Sequence, residues 1–358
     1  MREYLDHNAT SPLSDEARER LREHLDTPLA NPGSVHAEGQ RARGLLERAR
    51  RTTLQRLGKP GGRVVFTGGA TESNNMVLQS AVSRGDHVLS SRLEHPSVVE
   101  PLRHAKVTWL AHDSSARWDL DALDAALDDC GLVSLIWGNN ELGTLNPIDV
   151  VAERCLKKGV PLHIDAAQVF GRLPVVVPKG VSTMTLCAHK AGGPIGVGAL
   201  WIAEDAVAPK LVVGGHQERG TRAGTEDVAR IDAWLATPLD NRWSALANSR
   251  DAFENVLVDV LGAVVNGGGP RLPNTCNLSV PGLDAEGALM ALDLAGIAAS
   301  AGSACTAGSI DPSPVLLALG VDDWRVNGAL RFSLGPGQAD GRSLGERVVA
   351  AIRGVIRA

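Results

Sequence analysis

The chain has 358 residues, 44% of them hydrophobic and 22% charged, with a formal net charge of −5. That length supports a large core and two or three domains, and the composition is ordinary for a folded globular protein. The mild acidity leaves no basic footprint for nucleic acid or an anionic membrane, and aromatics at 3% argue against base-stacking platforms.

The N-terminus, MREYLDHNAT, carries charge where a signal peptide needs an apolar stretch. Ser14 ahead of Asp15 and Glu16 predicts a helix start, with the helix running to about Leu25. Apolar, β-branched runs then predict buried strands at Arg63–Phe66, Asp86–Ser90, Lys106–Ala111, Val133–Trp137, Leu162–Asp165, Thr183–Ala188 and Gly198–Ile202. Amphipathic stretches lie between them at Glu72–Ser83, Leu120–Leu127 and Asp149–Lys158. Such alternation reads as α/β with a mostly parallel sheet. Beyond Thr225 the texture changes. Helical stretches at Val228–Ala236 and Trp243–Leu261 precede a Gly-rich turn at Gly267–Gly269. A strand-like Asn274–Val280, a helical Ala285–Ala295 and a strand at Ala329–Leu334 follow before a terminal helix, and this part reads as a smaller α+β domain. No internal repeat or low-complexity tract stands out, and no apolar run reaches the roughly eighteen residues of a spanning helix.

Five cysteines (Cys130, Cys155, Cys187, Cys276 and Cys305) are an odd number without close pairs, which fits neither a disulfide framework nor zinc-ribbon spacing. No metal site is expected, and a reducing cytoplasm is the expected compartment.

Four segments carry the chemistry. In Phe66-Thr-Gly-Gly-Ala-Thr-Glu-Ser-Asn74 a strand turns through two glycines into a helix, whose N-terminus favours an anion. It lacks both GxxxxGK[ST] and GxGxxG, so a single phosphate is the natural guest, although alone it could be an ordinary strand–helix turn. Leu162-His-Ile-Asp-Ala-Ala-Gln168 ends a buried strand in a carboxylate, where α/β sheets place ligands. A pyridinium N–H would suit that carboxylate, although a lone strand-end Asp is more often a helix cap. Cys187-Ala-His-Lys190 closes an apolar strand with a lysine and runs into a Gly-rich stretch. Its amine could condense with a carbonyl cofactor and later move a proton, or could be simply a solvated surface charge. Around Cys305, Ala299-Ser-Ala-Gly-Ser-Ala-Cys-Thr-Ala-Gly-Ser309 is built of small residues, as in a mobile, exposed loop. A thiol there can act as nucleophile, whereas most cysteines are buried and inert, the reading adopted for Cys130, Cys155 and Cys276.

Together with Tyr4-Leu-Asp-His-Asn-Ala-Thr10, Asn31-Pro-Gly-Ser-Val-His36, Leu93-Glu-His95, Asn139-Asn-Glu-Leu-Gly143, Glu218-Arg-Gly-Thr-Arg-Ala-Gly-Thr225, Arg271-Leu-Pro-Asn274 and Leu330-Arg-Phe-Ser-Leu-Gly335, these segments resemble the cysteine desulfurases of the NifS/IscS type, within the class V aminotransferase superfamily. The resemblance runs nearly end to end. It implies a pyridoxal 5'-phosphate (PLP) transferase of fold type I. The large PLP domain would span 13–238, with a mostly parallel central sheet flanked by helices. Residues 1–12 and 239–358 would form a smaller α+β domain carrying the Cys305 loop.

The resemblance also implies roles. Lys190 would hold PLP and move the substrate's Cα proton, Asp165 would bond the pyridine nitrogen, His95 would stack on the ring, and Gln168 would bond the phenolic oxygen. Ala70 and Thr71 would hold the phosphate with His189 and the segment at Cys187, and Thr225 would reach it from the neighbouring subunit of a homodimer. Asn140 and Arg331 would bind the carboxylate of L-cysteine. Cys305 would take the substrate's sulfur as a persulfide, leaving alanine, and pass it to a protein acceptor in iron–sulfur assembly, tRNA or DNA thiolation, or another sulfur pathway. The spacing from Cys305 to Arg331 is similar to that of the branch with the longer cysteine loop. Two departures stand out: Cys187 replaces a usual serine, and the sequence runs on only briefly after Gly335, where housekeeping members have a longer tail that contacts an iron–sulfur scaffold. A C–S lyase or aminotransferase that does not use Cys305, and a weakly active sulfur-carrier docking partner, are the rival readings.

Overall fold

The computed structural model describes residues 2–58, 61–239, 241–302 and 311–356. In chain order the strands are β1 (Glu3–Tyr4), β2 (Arg63–Thr67), β3 (Val88–Ser90), β4 (Val107–Trp109), β5 (Leu132–Ile136), β6 (Leu162–Asp165), β7 (Val181–Cys187), β8 (Gly198–Ile202), β9 (Val264–Val265), β10 (Thr275–Ser279), β11 (Ile297–Ala298) and β12 (Ala329–Ser333). A seven-stranded sheet runs β2-β8-β7-β6-β5-β3-β4. Its strands pair in parallel except β8, which is antiparallel to both its neighbours.

Both faces of this sheet are buried, because successive side chains of a strand point to opposite sides. Val64, Phe66, Leu89, Val133, Leu135, Ala199 and Trp201 face one core, which the helices Ala37–Arg56, Ile148–Lys158 and Val228–Ala236 cover with Leu46, Ala49, Val151, Ala152, Ile231 and Trp234. Val65, Val88, Leu132, Leu200 and Ile202 face the other, beneath Met76, Val77, Leu78 and Ala81 of the helix Ala70–Arg84. Each such aliphatic side chain contributes about 1.5–3 kcal/mol when fully buried.

The antiparallel sheet β12-β10-β9 encloses a separate core, where Phe253, Leu257, Leu278, Leu330, Phe332 and Val348 meet. The N-terminal segment joins it: β1 pairs with β11 and Leu5 is fully buried there. Residues 6–9 then run from this core toward the carboxyl ends of β6 and β7.

The α/β reading with a mostly parallel sheet matches the architecture. Leu162–Asp165, Gly198–Ile202, Leu120–Leu127 and Val228–Ala236 form as expected, and Ser14 caps its helix by accepting from Ala17 N. The strand expected over Lys106–Ala111 shortens to Val107–Trp109, since β4 lies at the edge and pairs only with β3. The helix expected from Trp243 begins at Leu246, because Trp243 packs edge-on to His7 and under Arg172. The helix Ala37–Arg56 has no counterpart in the expected elements. Its buried stripe is made largely of Ala42, Leu45, Leu46 and Ala49 amid arginines and two interior glycines, a weak amphipathic signal.

Candidate active site

The carboxyl ends of β5, β6 and β7 open into a cavity of about 900 Å³, at the place where parallel α/β sheets present ligands. Ile136, Asp165, Cys187 and Lys190 reach it from the strand ends, and Asn8, Asn140, Gly302 and Arg331 close its other side. A second cavity of about 700 Å³ opens beside Val160, Val181 and Ala203 and contains none of the predicted site residues.

The Gly68-Gly69 turn forms one wall. Gly69 has φ 147° and gives the following helix no side-chain cap, and Ala70 and Thr71 of its first turn line the cavity. Gly198 of β8 lies against this turn. A Cβ there would fall 2.7 Å from the Gly69 backbone, so the approach requires glycine.

Asp165 ends β6 with both oxygens engaged: Oδ1 accepts from Ala167 N at 2.8 Å and Oδ2 from Asn74 Nδ2 at 2.7 Å. The same Asn74 amide donates to Ser97 Oγ at 2.9 Å. The Ser97 hydroxyl lies 2.8 Å from His95 Nδ1, and Ser97 N donates to that nitrogen at 3.1 Å. With Nδ1 accepting, the neutral His95 ring carries its proton on Nε2. Burial is the first cause that holds its pKa below the usual value, with Lys190 adding to it against the pull of Asp165.

Lys190 Nζ donates to the carbonyls of Asn8 and Ala9 at 2.7 and 2.8 Å. Burial pushes its pKa down to about 8, toward the neutral nucleophilic amine, with Arg172 and Arg331 acting in the same direction and Cys187 and Asp6 against it. His189 bonds Thr10 Oγ1 at 3.0 Å and is pushed by burial to about 4, so it is neutral. Cys187 is buried with the backbone N–H groups of Ala70 and His189 directed at its sulfur, while burial pushes the thiol up. Gln168 Nε2 donates to Asn8 O at 3.0 Å.

Arg331 pairs with Asp6 at 2.7 Å and donates to Gly302 O at 2.8 Å, yet its buried Nε has no partner among the described residues. Asn140 Oδ1, in the same cavity, is likewise unpartnered among them. Buried polar atoms of this kind call for a ligand or water to complete them.

Lys190, Asp165, His95, Gln168, Cys187, His189, Ala70, Thr71, Asn140 and Arg331 therefore share one cavity. Thr225 is exposed and lies outside the lining. Cys305 lies outside the described residues. Asn8, Asn74, Ser97, His163 and Arg172 carry the site's hydrogen bonds and were assigned no role from sequence. His163 could have been found, since it sits two residues before Asp165 on a strand and shares its face.

A lysine amine, a strand-end aspartate and a helix N-terminus on one doubly covered sheet define an α/β enzyme with a phosphate-sized cradle beside a nucleophile. Residues 3–339 match the family described as aminotransferase class-V. The cysteine desulfurase IscS of Dictyoglomus turgidum is 36% identical over 351 residues, covering 93% of this chain and 89% of its own. A NifS-like protein from Rickettsia africae superposes with a TM-score of 0.90 at 27% identity, covering 99% of this chain and 100% of its own. The structure of SspA in complex with cysteine gives 0.81 at 27% identity, over 93% and 99% of the two chains. The chain belongs to the aminotransferase class-V family, among its cysteine desulfurases. Among the described residues no helix is long and apolar enough to cross a membrane.

Proposed function

We propose that the protein is a PLP-dependent cysteine desulfurase that converts L-cysteine to L-alanine and passes the sulfur through Cys305 to a protein acceptor. The observation that carries this reading is the meeting of the Lys190 amine, the Asp165 carboxylate and the uncapped turn at Gly69–Thr71 in one cavity. These residues fit PLP: an amine inclined to the neutral form for its aldehyde, a held carboxylate for its ring nitrogen, and helix N–H groups for its phosphate. Ala70, Thr71, His189 and the Cys187 segment would hold the phosphate, Gln168 the phenolic oxygen, and Thr225 of a second copy would complete the phosphate site in a homodimer.

When bound, the cofactor supplies a protonated ring that delocalises the electron pair released at the substrate's Cα. Arg331, whose Nε has no partner among the described residues, and Asn140 bind and orient the substrate carboxylate, a task suited to a guanidinium fork. Lys190 Nζ accepts the Cα proton. His95 offers Nε2–H to the cavity as a proton donor. The Cys305 thiolate attacks the substrate's sulfur, forming an S–S bond as the C–S bond breaks, and alanine leaves after protonation at Cβ. The division into 13–238 and the remainder, with the Cys305 loop on the smaller part, belongs to the same reading, as does a reducing cytoplasmic setting.

The test is sulfide and alanine release from L-cysteine, with reductant, by the yellow enzyme beside Cys305→Ser. Equal sulfide and alanine, lost in the variant with its colour intact, is the expected result. Sulfide with pyruvate, unchanged in the variant, would identify a lyase instead.

A further inference from the structure

Arg172 is fully buried and has no ion-pair partner among the described residues. Its N–H groups are spent entirely on neutral acceptors. Nε and Nη2 donate to the carbonyl of Lys190 itself at 2.9 and 2.6 Å. Nη2 also reaches His7 O at 2.7 Å, and Nη1 reaches Asn8 Oδ1 at 2.7 Å and Gln168 Oε1 at 2.6 Å. The indole of Trp243 lies under the guanidinium, 4.7 Å from ring centroid to Cζ.

Two consequences follow from this wiring. Asn8 and the turn around it are fixed to the guanidinium, and the carbonyls of Asn8 and Ala9 receive the Lys190 amine. With Oε1 of Gln168 occupied by a donor, its amide nitrogen is turned the other way, toward Asn8 O and the cavity. A buried cation without a carboxylate is costly: burial pushes the Arg172 pKa down to about 9, which leaves it charged beside a second cation near neutral pH.

Of the other groups that act on Lys190, Cys187 opposes Arg172 only as a thiolate and Asp6 opposes Arg331. Arg331 is paired with Asp6 at 2.7 Å, so those two charges largely offset each other. Burial keeps His95 and His189 neutral and the Cys187 thiol protonated. Asp165 lines the same cavity with both oxygens engaged by Ala167 and Asn74.

We propose that Arg172 is a positioning residue for Lys190: its guanidinium fixes the carbonyl cradle that aims the amine and supplies a positive charge that favours the amine's neutral form. A like charge nearby disfavours an ammonium, and a lysine beside another cation is thereby made nucleophilic. The inference rests on Lys190 being the reactive amine of the proposed desulfurase, and its test is independent of turnover.

The measurement is competitive labelling with acetic anhydride against pH, on the full-length chain freed of bound carbonyl compounds with hydroxylamine. Peptide mass spectrometry reads Lys190, with exposed Lys106 as internal reference. The expected midpoint for Lys190 lies near 8, well below that of Lys106. Arg172→Met and Arg172→Gln raise it by about one pH unit, a tenfold change in the neutral fraction. A wild-type midpoint level with Lys106, or a neutral variant whose midpoint stays within about 0.3 unit of wild type, overturns the proposal. If Arg172→Met does not fold, Arg172→Gln, which can still donate to the Lys190 carbonyl, is the variant that decides. Sulfide and alanine production from L-cysteine, measured separately, judges the desulfurase reading without bearing on this result.

Discussion

Asn74 holds Asp165 from the neighbouring helix: its amide nitrogen donates to Oδ2 at 2.7 Å while its carbonyl accepts from His163 Nε2 at 3.1 Å. The direction of this chain is fixed by chemistry. A carboxylate accepts only, so the amide must turn its NH₂ to Asp165 and its oxygen to His163. His163 Nδ1 then accepts from Thr183 Oγ1 at 2.8 Å. One asparagine thus ties the strand-end acid to a fully buried histidine and, through Ser97, to His95.

Removing Asn74 leaves several buried polar atoms unsatisfied. Asn74→Ala is expected to destabilise the fold by about 2–3 kcal/mol, the cost of orphaned buried groups. It should also weaken PLP binding, because Asp165 loses the donor that orients Oδ2. Urea unfolding and a spectroscopic PLP titration check the two effects separately.

Lys190→Ala should abolish the yellow chromophore and lower turnover by at least about 10³-fold. Its stability should be little changed, because the variant removes a buried ammonium whose desolvation already disfavours the charged form. Absorbance and thermal unfolding, measured side by side, check this.

Acid stability follows from the buried neutral histidines. Burial lowers the pKa of His163 to about 4 and of His7 to about 3, with Arg172 contributing at His7. The unfolded chain therefore binds more protons than the native one below the ordinary histidine value near 6.5. Their contribution is full above about pH 6.5 and is lost as pH falls toward 4. Urea midpoints across that window should decline, and His163→Gln should reduce the slope by about 1.4 kcal/mol per pH unit.

Arg331→Lys should raise KM for L-cysteine by about tenfold or more, since an ammonium cannot replace a bidentate fork. Steady-state kinetics over a wide cysteine range, with the PLP spectrum as control, tests it. An unchanged KM would remove Arg331 from substrate binding.

Cys187→Ser should tighten PLP binding several-fold. The sulfur sits where the N–H groups of Ala70 and His189 converge, beside the proposed phosphate cradle, and a hydroxyl is the better hydrogen-bonding partner there. Equilibrium PLP titration of both proteins measures the difference.

Much of the fold was legible because local pattern and tertiary demand agree. β6 and β8 are short apolar runs bounded by turn residues, and Leu120–Leu127 carries an amphipathic period, so these form within the limits read from sequence. The helix Ala37–Arg56 escaped because its buried face uses alanines, whose burial depends on the close approach of Val228–Ala236.

For the site, the sequence by itself determined the chemical vocabulary: an amine, a strand-end acid, a glycine turn and a thiol, each bound to a local motif of a few residues. What only the tertiary structure decided is how they are wired. Arg172 and Asn8 are 164 residues apart, and Asn74 and Asp165 are 91 apart. No periodicity encodes such pairings. They follow from strand order and from burial, which removes water as an alternative partner and leaves each polar group to be satisfied by whatever the fold brings within reach.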